Sequence, residues 1–176
     1  DILILNGGGP PPGSATDLSA SDAEAAVASL VLPHVDLVRA FLPAMTERRW
    51  GRIIAVGSSG VQQPIARLAA SNLGRAALAG YLKTLAGEVA ADGVTVNMVL
   101  PGRIDTDRVR SLDAAAADRQ GADVADVRRS SAASIPVGRY GEPEEFAAVV
   151  AFLASEPASY VTGEQVRCDG GMVRHH

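Results

Sequence analysis

The sequence predicts an α/β fold, a parallel sheet with helices packed on both faces, and three observations carry that reading. Short runs of branched aliphatic residues alternate along the chain with longer stretches of helical apolar spacing. The strand-like runs end in Gly, Pro, Ser or Asn, the punctuation of strand-to-loop turns. The opening run, DILIL, is continuously apolar, as a strand of a buried parallel sheet is.

In chain order, DILIL is the first strand, closed by NGGGPPPG. Residues 16–24 carry helix-start residues, and from Ala25 to Met45 apolar positions recur at helical spacing, with Pro33 predicting a kink. RWGRIIAVGSS supplies a second strand, residues 52–56. LAASNLGRAALAGYLKTLAGEV is a long helix that should stop near Ala91-Asp92-Gly93. VTVNMVLPG is the next strand, broken by Pro101-Gly102. The charged, Ala-rich segment 103–134 reads as one or two short helices over a cleft. PEEFAAVVAFLAS gives a helix with Pro143 in its first turn, where a missing N–H costs nothing, and GEQVRCDGG closes the chain as a strand. With no repeat, low-complexity tail or linker, residues 1–176 read as a single domain.

Composition narrows the function. The chain has 176 residues, 47% hydrophobic but only 4% aromatic, so the core is built from Ala, Val, Leu and Ile. Twenty acidic against 16 basic residues give a net charge of -4, which argues for a small-molecule or protein partner and against nucleic acid or anionic lipid. The single cysteine, Cys168, excludes an internal disulfide and offers no metal-ligand set. Neither a signal peptide nor an apolar run of about 18 residues is apparent, so no membrane contact and a cytoplasmic location are expected. The first residues are already strand-like and no initiator Met precedes them, which reads as a product that starts upstream. His175-His176 reads as a tag remnant.

In an open parallel sheet ligands bind at the carboxyl ends of the strands. Three such ends here are Asn6-Gly7-Gly8, Gly57-Ser58-Ser59 and Pro101-Gly102, which would line one crevice. A GxGxxG turn is not among them: GGGPPPG has the wrong spacing, and its prolines remove the N–H donors a diphosphate needs.

Taken together the segments resemble the short-chain dehydrogenase/reductase superfamily from Asp1 to Met172. DILILNGG resembles its D-I-L-V-N-N-A-G strand, and LPAMTERRWGRIIAVGSS the helix end and strand that lead to the catalytic serine. VTVNMVLPGRIDTD resembles V-N-x-x-x-P-G-x-I-x-T, and IPVGRYGEPEEFAAVVAFLASEPASYVTGEQVRCDGG the family's carboxyl end. The resemblance implies a Rossmann-like doubly wound sheet whose amino-terminal strands and Gly-rich turn are absent from this chain. It also implies an NAD or NADP cofactor and hydride exchange with a small-molecule carbonyl or alcohol.

By the same resemblance Ser58 matches the serine that holds the substrate oxygen. Thirteen residues on, the proton-exchanging tyrosine falls on Ser71, and four further on the lysine falls on Arg75. The supporting asparagine falls on Leu30. A serine hydroxyl is a far poorer acid than a phenol of pKa about 10, and arginine keeps its proton, so the usual relay cannot run unchanged. The catalytic candidates are therefore Ser58, Ser71 and Arg75. The cofactor candidates are Asn6, Gly7, Gly8 and Arg75, with Pro101, Gly102, Ile104 and Thr106 at the nicotinamide.

Each candidate has a structural counterpart. Ser58 is read as functional over a turn cap. Arg75 is balanced between clamping a hydroxyl, phosphate or carboxylate and bonding backbone carbonyls. Ser71, among Ala70, Gly74 and Ala77, is read as close helix packing. Thr106 can serve as an N-cap and a cofactor contact together. Arg103 and Arg108 add cations that would favour an anion, although pairing with Asp105 and Asp107 is the commoner fate. Tyr81, ten residues after Ser71, points about 280° away and cannot replace the phenol. Tyr140 sits in a loop that nothing in the sequence places at the crevice, and His34 reads as a helix-surface or interface residue. Two functions follow, an oxidoreductase with an altered proton source or a non-catalytic member that binds a ligand or scaffolds an oligomer, and for the isolated 176 residues a third reading is a fragment that binds no cofactor. A homodimer or homotetramer is expected in the first two.

Overall fold

The four strands β1 (Ile2–Leu5), β2 (Gly51–Val56), β3 (Val94–Pro101) and β4 (Gln165–Cys168) pair in parallel in the order β1-β2-β3-β4 in a computed structural model that describes residues 1–174. His175-His176 lie outside the described residues. The register aligns Leu5 with Ala55, Val56 with Val99 and Pro101 with Cys168, so the strands end near one another along one edge of the sheet, where the crevice expected from the sequence would lie.

Alternation along the central strands divides the core into two layers. Ile53 and Ala55 of β2 and Val94, Val96, Met98 and Leu100 of β3 pack with α2 (Leu32–Glu47) and α3 (Ala69–Val89). Ile54 and Val99 point the other way, onto Leu153 of α6 (Pro143–Ala154) and Ala158. Each Ile, Val, Leu or Met among them contributes about 1.5–3 kcal/mol on burial, which is how a chain poor in aromatics holds its sheet. The predicted helices on both faces are thus present.

The helix break predicted from Pro33 falls between α1 (Ala20–Leu30) and α2, with Val31 as cap. His34 N–H turns to the Val31 carbonyl, which frees the Leu30 carbonyl that an unbroken helix would give it. The His34 ring fills that vacancy with a bond of 2.7 Å through Nδ1, and is only 6% exposed. The expectation of a surface histidine is therefore corrected: its spacing with Val38 places it on the inward face, and the helix break supplies its partner. A carbonyl only accepts, so Nδ1 carries a proton in this bond.

A second correction concerns the membrane. Residues 20–47 are long and apolar enough by composition to cross one, which the sequence reading did not recognise. In the fold the stretch is two helices, and Ala26, Leu30, His34, Val38 and Met45 enter the protein core.

α1 crosses α3 at Gly74, where a side-chain carbon would lie 2.8 Å from Leu30 Cδ1 and 3.2 Å from the Ala26 carbonyl. Glycine is required there by close approach, and Leu30, where the resemblance would put a supporting asparagine, is spent on this packing. α3 passes through a short 3-10 turn to Gly93, left-handed at φ 75°, the predicted stop.

The charged segment forms α4 (Asp107–Gln120) and α5 (Val124–Ala133), as predicted. Its ion pairs differ from the expectation. Asp113 is fully buried and holds Arg103 at 2.6 Å, Arg128 at 3.3 Å and the Tyr140 hydroxyl at 3.0 Å. Asp105 and Asp107 go instead to Arg110, and Asp105 also to Arg128. Local spacing suggested the neighbours, but the fold of α4 over the loop brings Asp113 under Arg103.

Pro143 opens α6 as predicted, and Glu142 and Glu145 form its capping box. Arg139 grips both Glu145 oxygens at 2.8 and 2.6 Å. The guanidinium, and then the Glu142 N–H, hold the Glu145 carboxyl down to about 2. Because the folded value is depressed, this stabilisation is complete above the unfolded glutamate range near pH 4.5 and is lost as pH falls through about 2. A carbon-detected NMR titration should show the Glu145 midpoint near pH 2, rising toward the ordinary glutamate range in Arg139→Ala; an unshifted midpoint in the variant would refute the pairing.

Candidate functional site

β2 delivers Ser58 and Val56 to the crevice, and α3 delivers Arg75 across from them. Ser58 is extended at φ -159° and caps a 3-10 turn, Ser59–Val61, its Oγ accepting from Gly60 N–H at 3.0 Å. That bond uses a lone pair and leaves the hydroxyl proton to donate elsewhere. The structural and functional readings of Ser58 are therefore compatible.

Arg75 Nη1 donates to the Val56 carbonyl at 2.9 Å, two residues before Ser58. This is its one protein hydrogen bond among the described residues, so most of its five N–H donors remain available. Burial, and next the nearby Arg108, push its pKa down from the usual arginine range, yet a guanidinium keeps its charge at neutral pH. Ser71 is half-buried on the first turn of α3, and its hydroxyl makes no hydrogen bond among the described residues. Spacing brings Ser71 and Arg75 to one helix, but no direct bond links them.

Asn72, between them, was missed by the sequence reading. Its Nδ2 donates to the Ile65 carbonyl at 2.9 Å and its Oδ1 accepts from Ile65 N–H at 3.3 Å. Asn72 thus pins the loop that connects Ser58 to α3. The available signal was an amide in an otherwise apolar helix.

At the third strand end, Gly102 N–H goes to the Cys168 carbonyl at 3.0 Å, and Ile104 is buried in a bridge with Gly141. Thr106 caps α4, accepting from Val109 N–H at 3.4 Å, as its N-cap reading anticipated. Pro101, Gly102, Ile104 and Thr106 are thus held by backbone contacts. Asn6, Gly7 and Gly8 are exposed at the end of β1, and nothing approaches within 4 Å of where a Gly8 side chain would begin. His34 Nε2 lies 3.7 Å from the corresponding point on Gly7. A cavity of about 670 Å³ adjoins this turn, walled by Gly8, Gly9, the proline loop, Ala26 and Ser29 of α1, and Ala70 beside Ser71.

Arg103 and Tyr140 are withdrawn from the crevice by Asp113, whereas Arg108 turns into it and donates to the Pro10 carbonyl at 3.1 Å. Tyr81, on α3, is partly buried against the core, where burial and then Glu88 raise its pKa. It takes no part in the site.

The family model described as enoyl-(acyl carrier protein) reductase matches residues 1–173. The 3-oxoacyl-(acyl-carrier-protein) reductase FabG of Escherichia coli strain K12 is 41% identical over 136 residues, 77% of this chain and 51% of the relative. Nodulation protein G of Azospirillum brasilense is 33% identical over 172 residues, 98% of this chain and 65% of its own length. The chain thus spans about half the length of the FabG reductases it matches.

Among solved structures, YwfH, an NADPH dependent reductase involved in bacilysin biosynthesis, superposes with a TM-score of 0.93 at 31% identity, over 100% of this chain and 68% of its own. L-sorbose reductase from Gluconobacter frateurii, complexed with NADPH and L-sorbose, gives 0.92 at 32% identity, over 100% and 67%. With the sheet order, the crevice and a family model that spans nearly every residue in agreement, the chain belongs to the short-chain dehydrogenase/reductase superfamily.

Proposed function

We propose that the protein is an NAD(P)-dependent oxidoreductase acting on a small carbonyl or alcohol, with an altered proton source. The observation that carries this reading is the convergence of Ser58, its hydroxyl proton uncommitted, and Arg75 at the end of β2. Gly7, Gly8 and Gly9 add no side chains of their own to the opposite wall, and the space over Gly8 is open, which supports a nicotinamide seated there. The sequence contains no GxGxxG turn. The cofactor, when bound, supplies or accepts hydride.

In this reading Ser58 donates its O–H to the substrate oxygen and stabilises the charge that develops there. Arg75 presents a fixed cation to the same oxygen or to a ribose hydroxyl. Ser71 is too weak an acid for the final proton, which comes from water held at Arg75. The cavity beside Gly8 and Gly9 has room for the unreactive part of the substrate. Asn6, Pro101, Gly102, Ile104 and Thr106 shape the cofactor face through their backbone.

The replacement of both relay residues favours one other reading, a family member that binds a ligand or scaffolds an oligomer without turnover. Under either, a second copy is the proposed partner, supported by the exposed Leu37 and Phe41 of α2 and Leu73 of α3. A cytoplasmic location is supported by a chain with one cysteine.

Titration with NADH and NADPH followed by nucleotide fluorescence, with a ketone panel, separates the two. Binding with turnover supports the oxidoreductase. Binding without turnover selects the scaffold reading, and no binding to either nucleotide overturns the proposal.

A further inference from the structure

Two guanidinium groups meet above Gly9. The nearest approaches to the point where a Gly9 side chain would begin are Arg108 Nη2 at 3.5 Å and Arg75 Nη2 at 4.0 Å. Each cation reaches this point from a different element, α3 and α4. Each has one protein hydrogen bond among the described residues, to the Val56 and Pro10 carbonyls respectively. Among the described residues no carboxylate pairs with either, although Arg103, Arg110, Arg128 and Arg139 all have acidic partners nearby.

Like charges held together without an acid repel, and burial of Arg75 sharpens the cost. The repulsion registers at Arg75, whose proton affinity is lowered by burial and then by Arg108. A third group that repaid this cost would be an anion placed between the two forks, where both present spare N–H donors. Gly9 keeps the space open, since any side chain there would enter it.

We propose that Arg75 and Arg108 form an anion clamp over Gly9 that takes the carboxylate of a short oxo acid whose carbonyl lies at Ser58. The anchoring of Arg75 on Val56 favours a short acid. Two residues of chain span at most about 7 Å between the Val56 and Ser58 Cα atoms, which keeps the Arg75 fork in the neighbourhood of Ser58. Arg108 belongs to α4, so an anion in the clamp would also tie this helix to the proline loop it already touches through Pro10.

This inference rests on the oxidoreductase reading for the carbonyl but not for the anion, and the test separates them. The first arm compares kcat/KM for pyruvate and phenylpyruvate with their methyl esters, using the full-length protein. Acids should be preferred at least about tenfold, and Arg108→Gln should erase most of that preference, the scale of one charge-assisted hydrogen bond. Arg110→Gln, an adjacent cation already paired with Asp105 and Asp107, should leave the preference intact. Equal turnover of acids and esters, or a preference that survives Arg108→Gln, overturns the clamp while the oxidoreductase reading stands.

The second arm needs no turnover. Calorimetry with oxamate should give saturable binding that weakens about tenfold or more in Arg108→Gln. That result supports the clamp even if every ketone is refused. Nicotinamide mononucleotide and inorganic phosphate are the rival anions. If they bind through Arg108 and oxamate does not, the clamp serves a cofactor phosphate and the proposal for the substrate is overturned.

Discussion

Ser58→Ala is expected to lower turnover of any accepted ketone about a hundredfold while NADPH affinity stays within about twofold of the parent. The magnitude is that of removing one preorganised donor aimed at a developing oxyanion, about 10²–10³ in kcat. The split between turnover and cofactor binding matters because Ser58 also caps the turn at Gly60, and loss of a cap alone costs about 1 kcal/mol of stability. A purely structural serine would therefore show a lower melting temperature with kcat nearly unchanged. Ser58→Thr retains a hydroxyl and should recover part of the lost turnover. Stopped-flow and steady-state rates for the three proteins, together with their melting temperatures, decide the matter; full kcat in Ser58→Ala would remove Ser58 from the reaction.

The strands and helices were legible because their signals are local. DILIL, RIIAV and VTVNMVLP carry strand composition within themselves, and Pro33, Gly93, Thr106 and Pro143 mark ends by backbone chemistry that needs no partner. All four act in the fold as that chemistry requires. The line of strand ends at Gly7, Ser58 and Gly102 was legible for the same reason, since a parallel sheet fixes where ligands can go.

What the sequence concealed depends on contacts between distant elements. His34 was placed outside because an imidazole on a helix usually faces water, and no local pattern shows that the break at Val31 frees the Leu30 carbonyl for it. Asn72 serves Ile65, seven residues earlier on a loop, so it could not be told from a tolerated polar residue. Arg103 and Arg108 looked equivalent in PGRIDTDR, yet one is drawn to Asp113 and the other to Gly9. The difference is made by the direction in which α4 leaves Thr106.

Asp113→Asn is expected to destabilise the fold by about 3 kcal/mol. The carboxylate is fully buried, and its two oxygens serve Arg103, Arg128 and the Tyr140 hydroxyl. Removing one partner of a buried charge network costs about 3–5 kcal/mol, because the remaining charges stay desolvated without a counter-ion. The lower end applies here. Arg103 and Arg128 are about a third exposed and can turn toward water, and Arg128 keeps Asp105 at 3.1 Å. Both guanidinium groups also stack on the Tyr140 ring, at 5.8 and 4.8 Å from its centroid, which limits how far they swing. Tyr140→Phe removes one neutral donor from that carboxylate and leaves both cations in place, so it should cost less, about 1.5–2 kcal/mol. Urea unfolding of the two single variants and the double variant measures the coupling, which should be about 0.5–3 kcal/mol for residues in one network. A loss below 1 kcal/mol in Asp113→Asn would show that Arg103 and Arg128 are satisfied without its charge, by water and by Asp105. The consequence reaches the crevice, since Asp113 lies on the helix that carries Arg108. A variant that remains folded but loosens α4 should lose the preference for oxo acids before it loses nucleotide affinity.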